Sequence, residues 1–152
     1  LTLGVAADGL ADELAAHGVA VVHQVHHDLL ADYGPEAWGE SVAQAVRVLL
    51  PGSVLACGTD RGNEVMAQAA ARLDVPFVAN VMSVTAADVW DVTRLRWGAS
   101  LLETCTLTSD VKLLTVSHHA LEAAESPVAG TTAISRRWTA LSCPPCTASS
   151  PS

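Results

Sequence analysis

Apolar residues along this chain recur with two different periods, and the alternation between them predicts the elements. Leu1 to Val5 reads as a short strand, followed by Asp8 as a helix N-cap and a helix with Leu10, Leu14 and Ala15 on its apolar side, ended by Gly18. Val19 to Val25 opens with four contiguous apolar residues, which favours a strand buried on both faces. Pro35 suits a first helical turn, and Trp38, Val42, Ala45, Val46 and Leu49 follow at helical spacing until Pro51 and Gly52 stop them. Ser53 to Cys57 is a second buried strand. Gly58 to Asn63 is a tight polar loop feeding a helix that buries Val65, Met66, Ala69 and Leu73, and Val75 to Val78 begins the next strand. Strands and helices alternating with short connections predict an α/β fold with a doubly wound, mostly parallel sheet.

From Asn80 the pattern changes. Val84, Val89, Val92, Leu95, Leu101 and Leu107 sit in short β-prone runs separated by Asp88 and Gly98, which predicts antiparallel additions ending in a core strand from Val111 to Val116. Beyond Ala124 the chain is rich in Ser, Thr, Pro and Ala without a usable period, and a poorly ordered tail is expected.

A length of 152 residues suits one compact domain with a core of its own. The net charge of -8, with eight Lys and Arg in all, leaves no basic stripe for nucleic acid, so none is expected as a partner. No apolar run approaches the roughly 20 residues that span a bilayer, so no membrane insertion is expected. The start lacks the order of a signal peptide, and the chain reads as cytoplasmic.

The best candidate site is the loop Gly58, Thr59, Asp60, Arg61, Gly62 and Asn63, between the C-terminal end of a strand and a helix N-terminus, where α/β folds place ligands and backbone amides attract anions. It has neither the GK[ST] ending of a Walker loop nor the GxGxxG spacing. Asp60 beside Arg61 offsets the positive helix end, so a structural turn or a subunit contact is preferred over a nucleotide site. His23, His26 and His27 end the second strand and His118 and His119 the last one; a parallel sheet could bring both groups to one edge. No zinc-ligand spacing is present, and exposed strand-end histidines are the preferred reading. Cys57 and Cys105 read as small core residues. Cys143 and Cys146 have thioredoxin-like spacing but no helix to follow them. No GxSxG elbow and no paired-carboxylate spacing is present, so no catalytic constellation emerges and an enzyme is not expected.

Three stretches carry a family resemblance. TDRGNEVMAQAAARLDVPFVANVMSV, Thr59 to Val84, is similar to a loop, helix and strand of the electron transfer flavoprotein alpha family. VTRLRWGASLLETCTLTSDVKLLTVSHHAL, Val92 to Leu121, resembles that family's continuation, and PEAWGESVAQAV, Pro35 to Val46, fits its intervening helix. The resemblance implies the N-terminal, non-flavin domain of an alpha subunit, with a three-layer αβα fold of the adenine nucleotide alpha hydrolase-like type. It covers residues 1–124, entering at what is usually the family's second strand, and leaves 125–152 as a disordered or aberrant tail. Arg136, Arg137, Cys143 and Cys146 give that tail the flavour of an out-of-frame or truncated terminus. The implied function is that of an electron carrier subunit. It docks with a beta subunit and so supports transfer from flavin dehydrogenases to a respiratory acceptor. FAD belongs to a further domain of the full-length family, and AMP, where present, to the beta subunit, so no cofactor is expected on this chain. The alternative is a free-standing adenine-nucleotide-binding α/β domain.

Overall fold

The computed structural model describes residues 1–126 and 133–138. Among the described residues eight strands fall into two sheets rather than one. A five-stranded sheet has the order β3 (Ser53–Cys57), β7 (Lys112–Val116), β4 (Phe77–Thr85), β5 (Trp90–Arg96), β6 (Leu101–Leu107). Its β3, β7 and β4 are parallel, and β5 and β6 are antiparallel additions, as the pattern after Asn80 predicts. A separate three-stranded parallel sheet has the order β1 (Thr2–Leu3), β2 (Val21–Val25), β8 (Ala133–Trp138). The class is α/β, consistent with a three-layer αβα arrangement.

Helices α2 (Pro35–Leu49) and α3 (Asp60–Leu73) pack on each other, and α3 lies over the parallel half of the larger sheet. Pro35 occupies the first turn of α2, and both helices end on a left-handed residue, Leu50 for α2 and Asp74 for α3. Their apolar stripes meet in one cluster, Val42, Val46, Val65, Met66, Ala69, Ala70 and Leu113, joined by Val54 and Phe77 from the sheet. Close approach of the helices depends on Gly39: a Cβ there would lie 2.4 Å from the Gln68 Cβ and 3.1 Å from the Val65 carbonyl oxygen. Arg72 ties the pair by an ion pair to Glu40 at 3.1 Å, and Arg47 donates to the Arg72 carbonyl at 2.7 Å. A second cluster, Val78, Val81, Val92, Leu107 and Leu114, lies on the opposite face, where Trp90 and Cys105 pack against it.

Several expectations need correction. The strand expected over Leu1 to Val5 is cut at Leu3, because Gly4 turns the chain with φ 79° into a 3-10 helix, Val5–Leu10. Asp8 lies inside that helix rather than capping α1 (Ala11–Ala16), since its carboxylate is held by His26 instead, at 2.7 Å. β2 begins only at Val21, which is exposed, and beyond it the strand is buried on both faces, by Val22 and Gln24 on one and Val25 on the other. β3 is not buried on both faces: it is an edge strand on which Leu55 and Cys57 are exposed. Within the expected tail, Ala133–Trp138 forms β8 alongside β2. Pairing with a strand more than a hundred residues away supplies the hydrogen bonds that local composition could not announce.

On the antiparallel extension, Arg94 and Arg96 both reach Glu103 across the β5 and β6 ladder. Their hydrogen bonds hold the Glu103 carboxyl below its ordinary 4.5. A depressed folded-state pKa contributes stability above the unfolded pKa that is lost as pH falls through the folded one. Glu103→Gln is therefore expected to make the fall of Tm below about pH 4.5 shallower. The effect is small, because the site is open to solvent. Thermal melts of both proteins at pH 3 to 7 check it.

Candidate functional site

The candidate loop begins where β3 ends, and α3 starts inside it, at Asp60, earlier than its polar composition predicts. Thr59 is the N-cap: its Oγ1 accepts the Gly62 N–H at 3.0 Å, while its carbonyl accepts the Asn63 N–H at 2.8 Å. The Gly58 N–H donates to the Val116 carbonyl at 2.7 Å, tying the loop to the end of β7. Gly62 sits so close to β3 that a Cβ would lie 1.9 Å from the Cys57 carbonyl oxygen. Arg61 stacks on Tyr33, with its guanidinium carbon 4.7 Å from the ring centroid. The Tyr33 hydroxyl donates to Glu64 at 2.6 Å, and the ring meets Trp38 edge-on. Loss of water around the phenol, reinforced by that carboxylate, pushes the Tyr33 pKa up to about 12.

Asn63 belongs to a closed polar ring that joins the first turn of α3 to strands β4 and β7. Its Nδ2 donates to Asn80 Oδ1 at 3.3 Å, the Asn80 N–H donates to Thr115 Oγ1 at 3.0 Å, and the Thr115 hydroxyl donates back to Asn63 Oδ1 at 2.6 Å. Thr115 is wholly buried, and Asn80 takes a left-handed conformation, φ 58°, which asparagine tolerates better than most residues. Thr115→Val keeps the shape but strands a backbone N–H and an amide oxygen. It is expected to cost about 1–3 kcal/mol in urea unfolding.

The structure does not bring the two histidine groups together. Strand β2 is in the smaller sheet and β7 in the larger one. His26 and His27 line a cleft of about 800 Å³ beside the 3-10 helix, where His26 pairs with Asp8 and His27 accepts the Leu29 N–H. His118 and His119 line another, of about 550 Å³, with Cys57, Gly58 and Thr59. Among the described residues no three His, Cys, Asp or Glu side chains converge as a metal site. Cys57, read as a core residue, is exposed, because among the described residues nothing covers the face of β3 that carries Leu55 and Cys57; Cys105 is half-buried. Cys143 and Cys146 lie outside the described residues. Among the described residues no helix is long and apolar enough to cross a membrane.

Sequence reasoning missed Asn80 and Thr115, which sit in β-prone runs and read there as ordinary strand residues. It also missed Tyr33, whose only signal is its place in a polar connection just before α2. Chemically, Thr59 takes up the Gly62 and Asn63 amides of the helix start, and Asp60 sets a negative charge at the same end, which disfavours an anion there.

A family model described as electron transfer flavoprotein domain matches residues 1–139. The chain belongs to the electron transfer flavoprotein domain family. No curated protein matches it. Proteins of this family are electron carriers rather than catalysts. The matched segment of this flavoprotein domain takes in the candidate loop, the Asn63 ring and β8, and it runs past residue 124, where the resemblance was expected to end.

Proposed function

We propose that this chain is the non-flavin N-terminal domain of an alpha-type subunit, and that its work is to dock with a beta-type subunit. The pair would take electrons from flavin dehydrogenases and pass them to a respiratory acceptor, in the cytoplasm, with no cofactor held by this chain. The observation that carries the reading is the inward-turned loop. Gly62 is capped by Thr59, Gly58 is bound to Val116 and Arg61 is stacked on Tyr33, so the strand-to-helix junction does not fit a nucleotide phosphate. Apolar surface supports a docking role. Trp97, at the tip of the β5 and β6 hairpin, is 80 % exposed, and Leu101 and Leu102 beside it are exposed as well.

Two measurements test the proposal. Titration calorimetry with AMP, ATP and FAD is expected to show no micromolar binding; tight AMP or ATP binding without FAD would instead favour a free-standing nucleotide-binding domain. Co-expression with a beta-type flavoprotein subunit is expected to yield a complex. Trp97→Ala should weaken that complex about tenfold or more, as loss of a buried aromatic anchor does. Recovery of the two chains as separate species would overturn the docking reading.

A further inference from the structure

Strand β4 carries one residue too many for the ladder it joins. Val78 pairs with Leu114 and Val81 with Val116, so Ala79 and Asn80 together face the single residue Thr115. The extra residue resets the alternation of side chains, and Val78 and Val81, three apart, both reach the second apolar cluster. Asn80 absorbs the bend with its left-handed φ of 58°, and Thr115 Oγ1 accepts its N–H at 3.0 Å.

The bend decides where the β5 and β6 hairpin goes. Strand β5 pairs with β6 along its whole length, from Trp90 to Arg96, but with β4 only from Asp91 to Arg94. A continued register would set Leu95 beside Asn80, Arg96 beside Ala79 and Trp97 beside Val78. Pairing instead stops at Val81, next to the bulge, and the tip leaves the sheet with Trp97 80 %, Leu102 64 % and Leu101 49 % exposed. The tip itself is stiff. Trp97, Gly98 and Ala99 are all left-handed, the Ser100 N–H donates to the Trp97 carbonyl at 3.2 Å, and Arg94 and Arg96 both reach across the ladder to Glu103. Its direction is therefore set at the root, where β4 bends.

We propose that Asn80 is a positioning residue for the docking contact: its bulged, left-handed backbone ends the pairing of β4 with β5 and presents Trp97 to the partner. The proposal rests on the docking reading above and adds what aims the contact. Asn63 and Thr115 fasten the bend from α3 and β7. Asparagine and glycine hold a left-handed backbone readily, whereas a β-branched residue resists it.

The test compares Asn80→Val, which presses the bend toward an extended backbone, with Asn80→Gly, which loses the acceptor for Asn63 but keeps the left-handed turn and the N–H to Thr115. Residual dipolar couplings of the full chain report the angle of the β5 and β6 hairpin to α3 and β7. The parent and Asn80→Gly are expected to share one angle, and Asn80→Val to depart from it. Asn80→Ala, which strains the bend less, takes its place if the valine variant does not fold. Affinity for a beta-type subunit is expected to fall about tenfold in Asn80→Val and to stay within about twofold of the parent in Asn80→Gly. Because Asn80 acts through Trp97, adding Asn80→Val to Trp97→Ala is expected to weaken the complex no further, where an independent structural loss would add. An unmoved hairpin, a glycine variant as weak as the valine one, or additive losses would each overturn the role of Asn80 and leave docking untouched. A parent chain that forms no complex sinks the docking reading, while the hairpin angle still decides whether Asn80 sets the tip.

Discussion

Gly62→Ala is expected to destabilise the fold by about 3 kcal/mol, a large share of the total stability of a domain this size. The added Cβ would lie 1.9 Å from the Cys57 carbonyl oxygen, 3.1 Å from its carbon and 3.2 Å from Thr59 Oγ1. Two of these three obstacles are backbone atoms, so no side-chain rotation relieves the contact. The end of β3 and the first turn of α3 would have to separate. Helix propensity predicts the opposite sign, because alanine in a helix is favoured over glycine by about 1 kcal/mol. Urea unfolding therefore decides cleanly: a midpoint that rises on substitution would mean the strand end and the helix are not this close.

Leu113→Ala carries the second large effect. Leu113 is fully buried on the middle strand of the parallel half, paired in register with Val54 of β3 and Phe77 of β4, and it packs beneath both helices. Removing its side chain loses transfer free energy and opens a cavity that three neighbouring elements cannot easily collapse, for an expected cost of about 3–4 kcal/mol. Val48→Ala, at a residue 65 % exposed on α2, is the control and should stay within about 0.5 kcal/mol of the parent. Equal losses at the two positions would mean that α2 and α3 do not cover this strand.

The sequence made the helices readable because each carries its own signals. Pro35 opens α2 and Pro51 follows its end, and the apolar residues of both recur at the helical period. It was equally informative about β3, whose observed bounds are those of the apolar run, and about the antiparallel additions, which pair with neighbours close in sequence. Partition into two sheets was not legible, because it depends on which distant strand each edge meets. For the same reason β8 was hidden, its partner β2 lying far upstream. At the candidate site, the position of the loop was readable, but its closure was not. Asn63, Asn80 and Thr115 come from three separate segments, and nothing in any one of them signals that it completes a ring with the others. Arg61 illustrates the same limit: as a letter it is a cation at a helix start, and only the position of Tyr33 turns it into a stacked one.

Strand β7 lies between β3 and β4 but follows both of them, and the β5 and β6 hairpin, in the chain. During translation the ribosome therefore releases two future neighbours of a strand that does not yet exist. The hairpin can form at once from nearby residues, whereas β3 waits for Lys112–Val116 to emerge before either of its edges is paired within the larger sheet. Throughout that interval the nascent chain presents sticky apolar surface, which makes it a natural client for a holdase chaperone.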